Sequence, residues 1–222
     1  MAASYRYFLL AFMVIVLDQT SKMLVFNNMY LHEEINVIGD WFRIHYLLNP
    51  GMAFGIKWES EFGKLALTLF RIIAMFGISW YLIKMAERNM HTGFLWCMGL
   101  ILGGAVGNVI DSTFYGVLLG NAPADAPTPW FHGQVIDMLY FPIFEFVWPD
   151  WVPYLGGKYF EFFSPVFNIA DSSIFLGVVT ILIMQKKFFK EVPTAKAENT
   201  DITSENTDSI TAESSQNTPP AA

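Results

Sequence analysis

Four stretches of this chain, roughly 5–26, 63–84, 92–112 and 165–185, are apolar over nearly the whole length that a helix needs to cross a bilayer. A chain with four such segments must satisfy its backbone hydrogen bonds inside each of them, and helices do that. Composition agrees. Of 222 residues, 54% are hydrophobic and 15% charged, where soluble domains carry about a quarter charged residues. The fold class expected is therefore an all-α membrane protein of four transmembrane helices. The net charge of −7 has no basic cluster of the kind that binds nucleic acid. The single cysteine, Cys97, lies in an apolar run, so neither an internal disulfide nor a cysteine metal site can form.

Basic residues orient the spans. Arg6 precedes the first, Lys84 and Arg88 fill the connection between the second and third, and Lys186, Lys187 and Lys190 follow the fourth. By the positive-inside rule these ends face the cytoplasm. Both termini are then inside, with 27–62 and 113–164 outside, although Arg43, Lys57 and Lys158 are exceptions to the bias. The apolar N-terminal run is followed by Asp18-Gln19-Thr20-Ser21-Lys22 and not by a small-residue cleavage site, so it reads as a retained span.

The outer segments differ from the spans. Ile35–Leu48 mixes aromatic, β-branched and polar residues around a Gly39-Asp40 turn, which predicts short strands and a small extracytoplasmic β element. Asn121–Pro129 is polar and proline-rich, and Trp130–Phe163 is strongly aromatic. Such rings favour the headgroup region, which places this stretch against the outer membrane surface. From about Glu191 the chain turns to Ser, Thr, Asn, Glu and Pro and cannot bury enough surface to order itself. The domain organisation expected is a four-helix domain over 1–190 and a disordered cytoplasmic tail over 191–222.

Against this apolar background, acids stand out. A carboxylate at the centre of a membrane helix costs ~2.5–3.5 kcal/mol on insertion scales, so each asks for a role. With the orientation above, Asp18 and Lys22 fall in the outer half of the first span, four apart with the acid first, as a helical ion pair prefers. Asn108 and Asp111 close the third span after Gly103-Gly104-Ala105-Val106-Gly107, small residues that let helices approach closely. Asn168 and Asp171 repeat the three-residue spacing in the fourth span, about 9 Å below its outer end if the helix starts at 165. Asp137 lies in the segment joining those spans, so all these groups can meet near the outer face.

Among chemistries, zinc is disfavoured because the four histidines are scattered and no His-Glu-x-x-His occurs. No Gly-x-Ser-x-Gly elbow is present. Paired carboxylates remain. Two that lie close cannot both ionise easily, so one keeps a proton and polarises a carbonyl while the other activates water. Asp171 is one member. For the second, depth alone favours Asp111, with Asp137 the alternative.

Five blocks decide further: Asp18-Gln19-Thr20-Ser21-Lys22, Asn49-Pro50-Gly51-Met52-Ala53-Phe54, Gly103-Gly104-Ala105-Val106-Gly107-Asn108-Val109-Ile110-Asp111, Val135-Ile136-Asp137-Met138, and Phe167-Asn168-Ile169-Ala170-Asp171-Ser172. In this order they resemble the lipoprotein signal peptidases (signal peptidase II), and the resemblance runs from the first span to the fourth. It implies a bacterial inner-membrane aspartyl endopeptidase that removes the signal peptide of diacylglyceryl-modified prolipoproteins just before the lipidated cysteine. It also implies that Asp137 and Asp171 are catalytic, that Asn49, Gly51, Asn108 and Asn168 line the substrate pocket, and that Asp18, Lys22 and Asp111 support them. No cofactor or metal is expected, the partners are the precursor and membrane lipids, and nothing requires more than a monomer.

Three departures accompany the resemblance. Ser112 stands where the family usually has Arg, which removes a guanidinium from the site; Ile136-Asp137-Met138 replaces the common Val-Asp-Phe; and 113–134 and 139–165 are longer than usual. Two other functions fit intramembrane acids and a glycine-rich helix: a proton- or cation-coupled transporter, and a non-enzymatic assembly factor.

Overall fold

The computed structural model describes residues 4–51 and 61–189. Among the described residues, four helices are long and apolar enough to cross a membrane: α1 (Tyr5–Asn28), α2 (Glu61–Glu87), α3 (Thr92–Ile110) and α5 (Ile169–Phe188). The expected tail over 191–222 and the Met52-Ala53-Phe54 end of the second block lie outside the described residues.

Helix α3 is the hub, packed against α1, α2 and α5. Its glycines make this possible. A Cβ on Gly103 would lie 2.8 Å from the Ala11 carbonyl oxygen of α1. From α5, Gly177 approaches α3 equally closely, its Cβ position falling 2.8 Å from the Cys97 carbonyl oxygen. Large apolar side chains on the outer faces, such as Phe70, Ile73 and Phe76 of α2 and Phe175 and Ile183 of α5, are exposed, as lipid-facing surfaces are. One apolar core gathers Tyr7, Leu82, Phe94, Met98 and Phe188 at the end carrying Arg6 and Lys186. A second, of Val25, Tyr46, Tyr115, Ile136 and Met138, joins the other end of the bundle to a sheet.

That sheet is wholly antiparallel, in the order β1 (Glu34–Ile38), β2 (Phe42–Asn49), β3 (Val135–Tyr140), β6 (Val166–Phe167). The strands expected from Ile35–Leu48 are β1 and β2. Those from the aromatic stretch go beyond expectation: β3 and β6 complete the sheet, and β4 (Phe144–Val147) pairs with β5 (Tyr159–Phe162) in a separate hairpin.

Two local features differ from the expected spans. Helical structure in the third continues to Leu118, through a π-helical turn at Asp111–Tyr115 and a short helix α4 (Gly116–Leu118). The wide turn suits its surroundings, because the Ser112 and Thr113 carbonyls accept hydrogen bonds from the Gly133 and Phe131 N–H groups of the following loop. Such π turns are frequent at functional sites. The fourth helix starts at Ile169 instead of 165, since Val166 and Phe167 pair with β3 and Asn168 is the N-cap. Asp171 therefore lies in the first turn, roughly 3 Å along the axis from the first helical residue, not the 9 Å the sequence suggested.

Candidate active site

Asp137 sits mid-strand in β3, opposite Leu47 of β2, and is only 3% exposed. Alternation along β3 does not expose it, because the strand is buried on both faces. Each carboxylate oxygen accepts one side-chain amide hydrogen bond: Oδ1 from Asn168 Nδ2 at 2.7 Å and Oδ2 from Asn49 Nδ2 at 3.0 Å.

Asn168 also reaches the other acid. Its Oδ1 accepts from the Asp171 N–H at 2.9 Å, the N-cap bond that starts α5. One side chain thus holds Asp137 and the backbone of Asp171 together. Asp171 Oδ1 in turn accepts from Asn108 Nδ2 of α3 at 2.8 Å. Asn49 behaves similarly, its Oδ1 accepting from the Gly51 N–H at 2.8 Å while its amide holds Asp137. Gly51 has φ +95°, a conformation that favours glycine.

Burial pushes the Asp137 carboxyl up to about 7, with the neighbouring Asp171 charge adding to the rise and the Asn49 and Asn168 amides opposing it. The two acids are close enough to interact electrically, and Asp137 favours its protonated form.

A second cluster lies against the first. Lys22 Nζ of α1 pairs with Asp18 Oδ2 at 2.7 Å and with Asp111 Oδ2 at 2.6 Å, all three side chains fully buried. The remaining oxygens are also engaged. Asp18 Oδ1 accepts from the Ala170 N–H of α5 at 2.9 Å, and Asp111 Oδ1 accepts from Gln19 Nε2 at 2.8 Å. Tyr115 donates to Gln19 Oε1 at 2.9 Å. This cluster ties α1, α3 and α5 together beside the acid pair. Depth alone favoured Asp111 as partner to Asp171; its contacts are instead those of a residue neutralised by Lys22.

The sequence reading missed Gln19, although it stands inside a quoted block, and it missed the cations of α2. Arg71 Nη1 donates to Ser112 Oγ at 2.7 Å, so a guanidinium from α2 reaches the position where the family's arginine is absent. The available signal was an arginine within an otherwise apolar span. Lys64, seven residues earlier on the same helix, brings its Nζ to 3.3 Å from where a Cβ on Gly51 would lie, and Arg71 Nη1 comes to 3.5 Å from it.

Helices built for lipid, capped by a sheet that delivers one of two neighbouring acids, define a membrane enzyme of hydrolytic type. The chain belongs to the signal peptidase II family: the profile of the family described as Signal peptidase (SPase) II matches residues 10–187. Among curated relatives it is 44% identical over 202 residues to the lipoprotein signal peptidase of Amoebophilus asiaticus, covering 90% of this chain and 85% of that one. It is also 44% identical over 181 residues to that of Porphyromonas gingivalis, covering 77% and 78%. Among solved structures, a bacterial membrane enzyme determined by the in meso method at 2.3 Å resolution matches with a TM-score of 0.58 at 25% identity, covering 86% of this chain and 94% of that one. With the family shown, the transporter reading has nothing to support it.

Proposed function

We propose that this chain cleaves the signal peptide from diacylglyceryl-modified prolipoproteins with Asp137 and Asp171 as its catalytic pair. The observation that carries the pair is the double role of Asn168, which binds Asp137 through its amide and the Asp171 backbone through its carbonyl oxygen. Asp137, protonated below about pH 7, donates to the scissile carbonyl oxygen. Asp171 takes a proton from water, whose oxygen attacks the carbonyl carbon. The tetrahedral adduct collapses with breakage of the C–N bond, the amine of the lipidated cysteine gaining the proton and the signal peptide leaving as a carboxylic acid. Asn49, Gly51, Asn108 and Asn168 line the pocket, and Asp18, Lys22 and Asp111 hold the helices that frame it.

The positive residues at one end of the bundle support an orientation with both termini in the cytoplasm and the site near the outer face of the bacterial inner membrane. The exposed aromatics of the hairpin, including Trp151, Tyr154 and Tyr159, suit the headgroup layer. The proposed chemistry requires no residue from a second copy of the chain.

The test is cleavage of a lipid-modified precursor by purified enzyme. Asp137→Asn and Asp171→Asn should each remain folded and lose activity by at least the 10²–10⁴-fold typical of a lost acid or base. Normal turnover by either variant would end the assignment.

A further inference from the structure

Arg71 is a basic group of the site that the proposed mechanism leaves without work. It stands on α2 beside the acids, within electrostatic range of Asp171, Asp111 and Asp137. Among the described residues, however, it forms no ion pair. Asp111 is held by Lys22 and Gln19 and Asp137 by two amides, while Asp171 gives one oxygen, Oδ1, to Asn108. The described hydrogen bond of the guanidinium goes to a neutral hydroxyl, that of Ser112. A guanidinium has five N–H donors in a fixed fork, and one that is partly buried on a single hydroxyl is under-supplied with acceptors. Lys64 is in the same position: among the described residues its buried Nζ has no hydrogen-bond partner. Both basic side chains lie on one face of α2 and approach Gly51, whose N–H is held by Asn49, the residue that also binds Asp137.

The acceptors an incoming peptide brings are its backbone carbonyl oxygens. We propose that Arg71 is a substrate-positioning residue that binds a backbone carbonyl of the precursor flanking the scissile bond, with Ser112 as its anchor. The guanidinium lost from position 112 is thereby restored from a different helix. This rests on the peptidase reading above.

Steady-state cleavage of a lipidated precursor tests it. Arg71→Ala should lower kcat/KM by about tenfold to a hundredfold, as loss of a charged hydrogen bond does, chiefly through KM. Arg71→Ala/Ser112→Arg, which moves the guanidinium across the same contact into the space vacated at 71, should recover most of that loss. A structural role for Arg71 would not be rescued in this way. If Arg71→Ala gives no monodisperse protein, Arg71→Gln keeps the bulk and a donor for Ser112 and carries the same expectation.

The inference is overturned by kcat/KM within about twofold of wild type, by a loss confined to kcat, or by no recovery in a folded double variant. A defect that vanishes with an ether-linked lipid would also overturn it, by assigning the guanidinium to the lipid ester. Failure of the wild-type enzyme to cleave would fault the peptidase reading instead, so the two outcomes are distinct.

Discussion

Replacing Lys22 by Met tests the most concentrated electrostatics in the molecule. The ammonium is shared by two carboxylates at 2.7 and 2.6 Å, and none of the three side chains is exposed. Met fills nearly the same volume, so packing is conserved and the charge alone is lost. Two buried anions then face each other without a counter-ion. Breaking a buried pair in this way costs about 3–5 kcal/mol. The lower part of that range is expected, because Asp18 keeps the Ala170 N–H and Asp111 keeps Gln19. At about 2–4 °C per kcal/mol for a domain of this size, the melting temperature in detergent should fall by about 6–16 °C. Lys22→Met/Asp18→Asn should be more stable than Lys22→Met alone, since the second change removes one stranded charge, with a coupling of about 0.5–3 kcal/mol. A Lys22→Met protein that melts within about 2–4 °C of wild type would refute the idea that this cluster is dry and holds the helices together. If that variant melted normally yet lost activity, Lys22 would belong to the chemistry instead.

Acidity supplies a further prediction. Asp137, pushed up to about 7 against 3.8 for an ordinary Asp, binds its proton more tightly folded than unfolded. Its ionisation therefore weakens the fold as pH rises from about 4 to about 7. Relative to wild type, Asp137→Asn should gain about 2–3 kcal/mol between pH 5 and pH 8, measured by denaturation at each pH; a pH-independent difference would contradict the protonated assignment. Cleavage should decline as pH passes about 7 for the same reason. Gly107→Ala places a Cβ 2.7 Å from Asp18 Oδ2 and 3.3 Å from the Ala170 Cβ. Asp18 is pinned on both sides, so the helices must part, and a loss of about 1–3 kcal/mol is expected in thermal unfolding. Unchanged stability would mean that the α1–α3–α5 junction is looser than described.

Much of this protein is written locally in its residues. Apolar length marks the four spans, because lipid admits a continuous helix and little else. The turn at Gly39-Asp40 marks β1 and β2, and the spacing of Asp18 to Lys22 marks their ion pair, since four residues bring side chains together on any helix. Tertiary structure decided the rest. Depth along a span could not separate the contacts of Asp111 from those of Asp137: the first meets Lys22 across the α1–α3 contact and the second meets Asn168 across the sheet, and the proposed pair rests on that difference. The start of α5 depended on Val166 and Phe167 joining β3, a pairing invisible to local propensity. Arg71 and Ser112 lie 41 residues apart on different helices, and their contact exists only where α2 packs on α3. Sequence period reports which face an element turns to lipid or core; contacts between elements depend on their packing, and there the site is assembled.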